Sequence, residues 1–512
     1  MTATSVAPAV ATRRNPFGLL AQPAVMLIVG SILLAALTLF YPSTPTYDPW
    51  SWIIWGREIG ELNLMTTGGP SWKPLPIFFT VPFSIFGEAA PDLWLVVARA
   101  GAFISLALAF LIAGLLCNRT FGEAEAPRRG WVAILAGLTA VVGVLFQMGF
   151  IRVNMLGDSE GLVNATAFAA VYFHLLHKRR AALLFGTSAA LLRPEVWVFL
   201  GLYGLWLWFS NPELRKWLIG CAVSIPVLWF VPEYFGSGNF FRAAARAQQP
   251  NAYSPAFADS PFFQTLKESR PMLPSSVKPA IEFGALVALW SAWRRRFAPL
   301  AVLLVGSAWI GLVAVMTEAG FAGNPRYMML GTSLLAIIGG YGAGSVLAVL
   351  RMGARRVNLK LVPVVTLIAF VALPGLVWSR GIDVRVQRLK HLGVVLHSEY
   401  NRRDELPAAI KLAGGRDFVL KCGAVSTEKF QVPLVAWYLH SHTLRIDAPL
   451  SRLSADGPGT AFQTNSPGNP PGPSRGPVGS VLVGRSGPWA VLQTCPALKA
   501  SADKSQITSQ QP

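Results

Sequence analysis

The sequence is poor in charge, short of acids, and nearly without cysteine and histidine. Asp, Glu, Lys and Arg make up 13% of its 512 residues, whereas a soluble domain carries about 25%. With 53% of the residues hydrophobic, that deficit excludes an ordinary water-soluble fold, and repeated apolar runs of about 20 residues place the chain among polytopic membrane proteins. Four cysteines are too few for a stapled scaffold; Cys117 and Cys221 lie in or beside apolar runs, and Cys422 and Cys495 lie in the C-terminal tail. The six histidines are scattered and form no HExxH run, so no metal-binding motif is present. No internal repeat of fixed period is visible, which weighs against a transporter built from paired halves. The 25 acidic residues stand against 44 basic ones, a formal net charge of +19. That surplus does not indicate nucleic acid. The Lys and Arg residues cluster in short loops between apolar runs, which is a signature of membrane topology and not of a binding stripe.

About eleven stretches read as spans: 23–41, 91–117, 131–150, 161–176, 181–196, 197–210, 215–232, 279–293, 297–316, 328–350 and 360–379. The pair at 181–210 is alternatively one long helix broken at Pro194. Arg13 and Arg14, Arg128 and Arg129, Lys178 to Arg180, Arg215 and Lys216, Arg294 to Arg296, and Arg355 and Arg356 fall in every second loop. The positive-inside rule assigns those loops to the cytoplasm. Residues 1–22 are then a cytoplasmic segment and the first span an uncleaved signal anchor. The module 23–379 crosses the cytoplasmic membrane many times. Its loops 42–90, 151–160, near 193–196, 233–278 and 317–327 lie outside, as does the tail 380–512.

The first outside loop runs YDPWSWIIWGREIGELNLMTTGGPSWKPLPIFFTVPFSIFG from Tyr47 to Gly87. Trp50, Trp52 and Trp55 recur at roughly helical spacing, which predicts a short helix lying on the bilayer surface. Gly68, Gly69 and Pro70 end it. Lys73 then precedes an apolar, proline-interrupted segment. Loop 233–278 mixes Phe, Tyr and Arg with Pro and Gly, and reads as interfacial helices with a mobile segment able to cover a site. In the tail, 403–414 and QVPLVAWYLH read as helices, and FVLKCG, TLRID, SVLVGR and WAVLQTC as strands. The expectation is a small extracytoplasmic α/β domain. Cys422 and Cys495, both on predicted strands in an oxidising compartment, are expected to pair. Residues 455–477, rich in Pro, Gly and Ser, read as a disordered insert.

Ionisable groups at a membrane boundary are costly, so those assigned to the outer leaflet are the candidates for chemistry: Asp48, Glu58, Lys73, Arg152, Asp158, Glu160, Arg193, Glu195, Glu282, Glu318 and Arg326. Asp48 is the candidate general base. It sits on a loop held by two spans, beside aromatic surface that lowers solvation and lifts a carboxylate's pKa. Its alternative role is to cap a helix beginning at Pro49. Asp158 and Glu160, in RVNMLGDSEGLVNA, either belong to a site with Arg152 as partner or simply start a helix. Lys73 and Arg326 are two cations at one interface, suited to an anionic headgroup; Arg fits phosphate through its planar fork. Each alternatively snorkels as an anchor. Arg193 and Glu195, in LLRPEVW, can pair with each other. A divalent metal held by Asp48 with Asp158 or Glu160 is compatible with these residues, although no motif demands one.

The order of features resembles a family. An acid-bearing outside loop, a Trp-rich helix, W-K-P-L-P, an apolar segment ending in F-G and then A-P-D-L-W-L-V-V-A-R-A-G resemble the first loop of the GT-C superfamily of membrane glycosyltransferases. The branch is that of protein O-mannosyltransferases and lipid A aminoarabinose transferases, where an acid is followed by K-P-P-L or H-P-P-L. Here a single acid stands between Tyr47 and Pro49, and Leu75 replaces the second Pro. The segment from Arg152 to Glu160 resembles the next outside junction, PRYMML resembles R-Y-L-L-P of the later spans, and the tail resembles extracytoplasmic domains of actinobacterial cell-envelope members. The resemblance implies an α-helical polytopic fold and inverting transfer of a sugar from a polyprenyl-phosphate donor to a cell-envelope glycan, lipid or protein outside the membrane. Asp48 would take the acceptor's proton, and Lys73, Arg326 and Arg193 would hold the donor phosphate. Arg152, Asp158 and Glu160 would orient the acceptor. A transporter or flippase of lipid-linked sugars is the first alternative, and a noncatalytic membrane scaffold whose tail binds envelope components the second.

Overall fold

The computed structural model describes residues 22–122, 130–356, 364, 382–447, 458–464 and 480–495. Every stretch read as a span that falls within them is a helix: Pro23–Leu37, Ala90–Phe121, Trp131–Leu145, Glu160–Leu175, Arg179–Ala190, Val196–Ser210, Arg215–Ser237, Lys278–Trp293, Ala298–Glu318 and Met329–Arg356. The expected span 360–379 and the segment 1–22 lie outside the described residues, apart from residues 22 and 364. Among the described residues, five helical segments are long and apolar enough to cross a membrane: Pro23–Phe40, Pro74–Phe121, Pro212–Ser237, Ala298–Glu318 and Pro325–Leu350. The 181–210 region is two helices. The break at 191–195 contains Pro194, which has no N–H to give a helix and disfavours helical backbone at Arg193.

Met329–Arg356 is the central helix. It packs against Trp131–Leu145, Ala90–Phe121, Lys278–Trp293 and Ala298–Glu318, and its small residues Ala336, Ala343 and Ser345 are buried there. Small side chains let helix backbones approach where burial from water cannot drive association. Large apolar side chains point outward instead, among them Leu33, Leu37, Leu202, Leu205, Phe209, Leu286 and Leu289. That inversion suits helices whose surrounding solvent is lipid.

The tail folds as an α/β domain. Its sheet has the order β2-β1-β3-β5-β4, with β1 Ala424–Thr427, β2 Ile446–Asp447, β3 Gly459–Thr464, β4 Val481–Ser486 and β5 Trp489–Gln493. β1 runs parallel to β2 and β3, and β5 antiparallel to β3 and β4. The helices Ile382–Leu412 and Val432–Tyr438 follow the expected segments. FVLKCG does not: it lies in the helix Arg416–Cys422 and the turn after it, so Cys422 is on no strand. Cys422 and Cys495 are nevertheless disulfide-bonded. Residues 459–464, placed by composition inside the 455–477 insert, form the central strand β3, buried along nearly its whole length. Residues 455–457 and 465–477 lie outside the described residues.

The Tyr47–Gly60 helix is where the two parts meet, and here the expected surface helix is corrected. Trp50, Trp52 and Trp55 are no more than 2% exposed. Trp52 packs edge-on to Trp94, Trp55 against Trp72, and Trp50 against Trp437 and Tyr438 of the C-terminal domain. One apolar core therefore runs from the first loop into the tail, through Ile53, Ile54, Leu406, Val435 and Leu439. Polar contacts rim it. Arg57 donates to Ser441 O at 3.1 Å, Glu58 meets His442 Nδ1 at 2.7 Å, and Arg403 pairs with Asp92 at 2.6 Å.

Candidate active site

Five breaks between helices converge beside this core. Asp48 lies in the first turn of its helix, where Pro49 fits because the early N–H groups need no intrahelical partner. The backbone N–H of Thr46 ties that turn to Leu156 O at 3.0 Å, next to Asp158. Asp158 closes a turn onto Val153 O at 2.9 Å, and Glu160 opens the helix Glu160–Leu175. Lys73 precedes the helix Pro74–Phe83, and Leu75 N donates to Leu191 O at 3.2 Å, which joins Lys73 to the break that carries Arg193. Arg326 sits in a short 3-10 turn, Pro325–Met328, whose start is fixed by Asn324 Oδ1 accepting from Arg326 N at 3.1 Å.

The side chains form one network. Arg326 Nη2 donates to Asp48 Oδ2 at 2.5 Å and Nη1 to Asp158 Oδ1 at 2.7 Å; its Nε is 3.8 Å from Glu160 Oε1. Arg193 Nη2 pairs with the same Glu160 oxygen at 2.6 Å, and its Nη1 reaches Glu195 Oε1 at 3.4 Å. Lys73 Nζ donates to Ser159 Oγ at 3.0 Å and stands 5.0 Å from the Trp52 ring centre. Tyr327 lies under both guanidinium groups, 4.3 Å from Arg193 and 5.6 Å from Arg326. Four carboxylates and three cations thus share a site that is largely closed to water. Opposite charges in such a setting need one another, since each would be costly alone.

Most of the expected site residues come together here: Asp48, Lys73, Asp158, Glu160, Arg193 and Arg326. The helix-cap alternative for Asp48 is not what the structure contains, because its carboxylate is on Arg326 and no side chain caps that helix. Arg193 does pair with Glu195, but its shorter contact is to Glu160. Arg152 is exposed, and among the described residues it forms no ion pair with Asp158 or Glu160. Glu58 belongs to the junction with the C-terminal domain, and Glu318 accepts from Phe262 N at 2.9 Å; Glu282 is exposed. Ser159, Thr46 and Tyr327 are the members that sequence reasoning missed. Tyr327 had a visible signal, since it follows Arg326 in PRYMML. A polar Ser or Thr beside a charged residue has none.

The place a cation shared by Asp48 and Asp158 would take is filled by the Arg326 guanidinium. Among the described residues, no group of three or more His, Cys, Asp or Glu is arranged to hold a metal ion. A groove of about 1,130 Å³ lies away from the network, lined by Tyr41, Leu389, Lys390, Val394 and His397, and contains none of the site residues.

Burial works to raise the Asp48 carboxyl, but Arg326 and Lys73 outweigh it and hold the group below the usual carboxylate range. Asp158 goes the other way. Burial, helped by the neighbouring Glu160 and Asp48, overcomes Arg326 and pushes it up to about 7. Between its ordinary 3.8 and about 7, the folded chain keeps a proton on Asp158 that the unfolded chain has released, so this group favours folding less as pH rises through that window. Burial and the nearby Arg193 lower the Lys73 ammonium to about 8 from its ordinary 10.5. Any anion that relies on the Lys73 charge is therefore expected to bind more weakly as pH rises past about 8. Lys73→Arg should move that loss to higher pH, because Arg stays charged. Titrating the binding of sulfate, whose charge is constant over the range, between about pH 6 and pH 10 checks this; a flat profile for the wild type contradicts it.

The fold has solved counterparts. The crystal structure of ArnT from Cupriavidus metallidurans in the apo state matches with a TM-score of 0.53 at 14% identity, over 93% of this chain and 98% of that one. The structure of the same ArnT bound to undecaprenyl phosphate matches with a TM-score of 0.51 at 14% identity, over 94% and 99%. No protein-family model matches the chain, and no curated protein matches it. This chain has an ArnT-like polytopic membrane fold along nearly its whole length.

Proposed function

We propose that this chain is a membrane glycosyltransferase that moves a sugar from a polyprenyl-phosphate donor to a cell-envelope acceptor on the outer face of the cytoplasmic membrane. The observation that carries the reading is one guanidinium, Arg326, held between Asp48 at 2.5 Å and Asp158 at 2.7 Å. It sits in a fold whose solved neighbour was crystallised with undecaprenyl phosphate. Alternation of the basic loops supports an N-terminus inside and the C-terminal domain outside.

In this mechanism an acceptor hydroxyl oxygen attacks the anomeric carbon, and the bond from that carbon to the phosphate oxygen breaks. The bonding electrons leave on the phosphate, and the hydroxyl proton passes to Asp48. Attack opposite the leaving group inverts the anomeric centre. The departing phosphate gains one negative charge, which Lys73, Arg326 and Arg193 are placed to meet; fixed cations aimed at developing charge are usually the largest catalytic term. A donor phosphate that takes the Arg326 fork also removes from Asp48 its main cation. Burial then raises the carboxylate's hold on a proton, as a general base needs. Asp158 and Glu160 keep Arg326 and Arg193 in place and orient the acceptor.

The test is a deletion strain. Its lipid-linked sugars and envelope glycans, compared with the parent's, are expected to show an accumulated polyprenyl-phosphate sugar together with a glycan, lipid or protein lacking that sugar. A strain unchanged in both contradicts the proposal. Accumulation of the donor on the cytoplasmic leaflet alone favours the flippase instead.

A further inference from the structure

Residues 66–72 carry the chain from the helix of Asp48 to Lys73, and the segment 228–246 grips them along their length. Thr66 N donates to Gly236 O at 2.9 Å, and Thr66 Oγ1 to Glu233 Oε1 at 2.9 Å. Ser71 Oγ donates to Ala243 O at 2.8 Å, and Trp72 Nε1 to Leu228 O at 3.0 Å. Between these ties lies Arg242. Its Nη1 donates to Pro70 O at 2.6 Å, and its Nη2 to Gly69 O at 3.0 Å and Thr67 O at 3.1 Å. Three carbonyls of one turn thus face the two terminal nitrogens of one guanidinium, two positions that the single nitrogen of an ammonium cannot occupy at once. The fork is held from its own side by Glu233, fully buried and 3.6 Å from Arg242 Nη1.

The turn cannot retreat from Arg242. Gly69 has a φ of +90°, and a Cβ there would stand 3.2 Å from the Trp55 ring. A Cβ at Gly68 would stand 2.6 Å from Thr443 Oγ1 of the C-terminal domain. The backbone that leads to Lys73 is therefore wedged between the shared aromatic core and Arg242.

We propose that Arg242 is a positioning residue for the donor site: by clamping the 67–70 turn it sets where Lys73 presents its ammonium to the donor phosphate. This rests on the reading of Lys73 as a phosphate ligand. Lys73 has a long flexible stem, and its placement depends on where its backbone starts; a 1 Å displacement of a positioning group can cost on the order of a hundredfold.

A double-mutant cycle tests it, with the full chain in lipid nanodiscs and undecaprenyl phosphate as the probe. Lys73→Ala and Arg242→Ala are each expected to weaken binding about tenfold, and the double variant to bind no more weakly than Lys73→Ala alone. Arg242→Lys keeps the charge beside Glu233 and guards against misfolding. It is expected to lose most of the same affinity, because one nitrogen cannot stand where Nη1 and Nη2 both stand, while melting at the wild-type temperature. Wild-type affinity in Arg242→Lys, or losses that simply multiply in the double variant, overturn the clamp. Wild-type affinity in Lys73→Ala overturns the phosphate reading of Lys73 itself, and the clamp with it.

Discussion

Asp48→Asn is expected to lower sugar transfer by about a thousandfold or more while undecaprenyl phosphate still binds. A positioned general base contributes roughly a hundred to ten thousandfold, and the amide cannot take the proton. Binding should survive because the change removes one of the carboxylates that compete with phosphate for Arg326. The pair Asp48–Arg326, at 2.5 Å, has to open before the donor can use that fork, so Asp48→Asn is expected to bind the product lipid at least as tightly as the wild type. Turnover measured with a polyprenyl-phosphate sugar, alongside equilibrium binding, separates the two effects. A variant that transfers at the wild-type rate removes Asp48 from the chemistry. A variant that loses binding and turnover together makes Asp48 a structural residue.

Arg326→Ala is expected to be the more damaging change. Arg326 stands against Asp48, Asp158 and Glu160 at once, and its removal leaves two of them without their nearest cation. Breaking a buried pair from one side costs about 3–5 kcal/mol, so the variant should unfold at a markedly lower temperature and lose donor binding. The deficit should shrink at acid pH. Carboxylates stripped of their cation take up protons more readily, and a protonated acid no longer needs a partner. Adding Asp158→Asn to Arg326→Ala should restore part of the stability but none of the transfer. Thermal unfolding at about pH 5 and pH 8 checks the first part, and an unchanged melting temperature in Arg326→Ala contradicts it.

The sequence reveals the helices well and their partners poorly. Spans are legible because apolar length is a local property, and even the two-helix break at Pro194 follows from proline's missing N–H. The Trp50, Trp52 and Trp55 pattern marks an aromatic face but does not say what covers it. A membrane surface and a second domain call for the same side chains, and here Trp437 and Tyr438, nearly four hundred residues later, supply part of the cover. Strand β3 hid inside a Pro- and Gly-rich stretch because GTAFQT is too short to stand out, and it is stabilised by pairing with β1 and β5 rather than by its own propensity. For the same reason the FVLKCG segment misled. Its apolar residues suit a strand, yet it caps the sheet as a helix.

In the site, charge sparsity did the work. A chain with so few acids rarely places them at a membrane boundary without a partner, which put Asp48, Asp158, Glu160, Lys73, Arg193 and Arg326 among candidates that also included Glu58, Arg152, Glu195, Glu282 and Glu318. What stayed hidden is the pairing: that Arg326 bridges Asp48 and Asp158, that Arg193 prefers Glu160 to its neighbour Glu195, and that Arg152 stands apart. Those choices depend on how five helix breaks far apart in the chain are brought into register. Arg242 was invisible for the same reason, since its partners besides Glu233 are backbone carbonyls, which carry no sequence signal.

The most direct measurement is a structure of the full chain in lipid nanodiscs with undecaprenyl phosphate bound. The account predicts phosphate density between Lys73 and Arg326, with the Arg326 fork turned onto the phosphate and Asp48 released toward the cavity. Phosphate density elsewhere, with the Arg326–Asp48 pair intact, would contradict it.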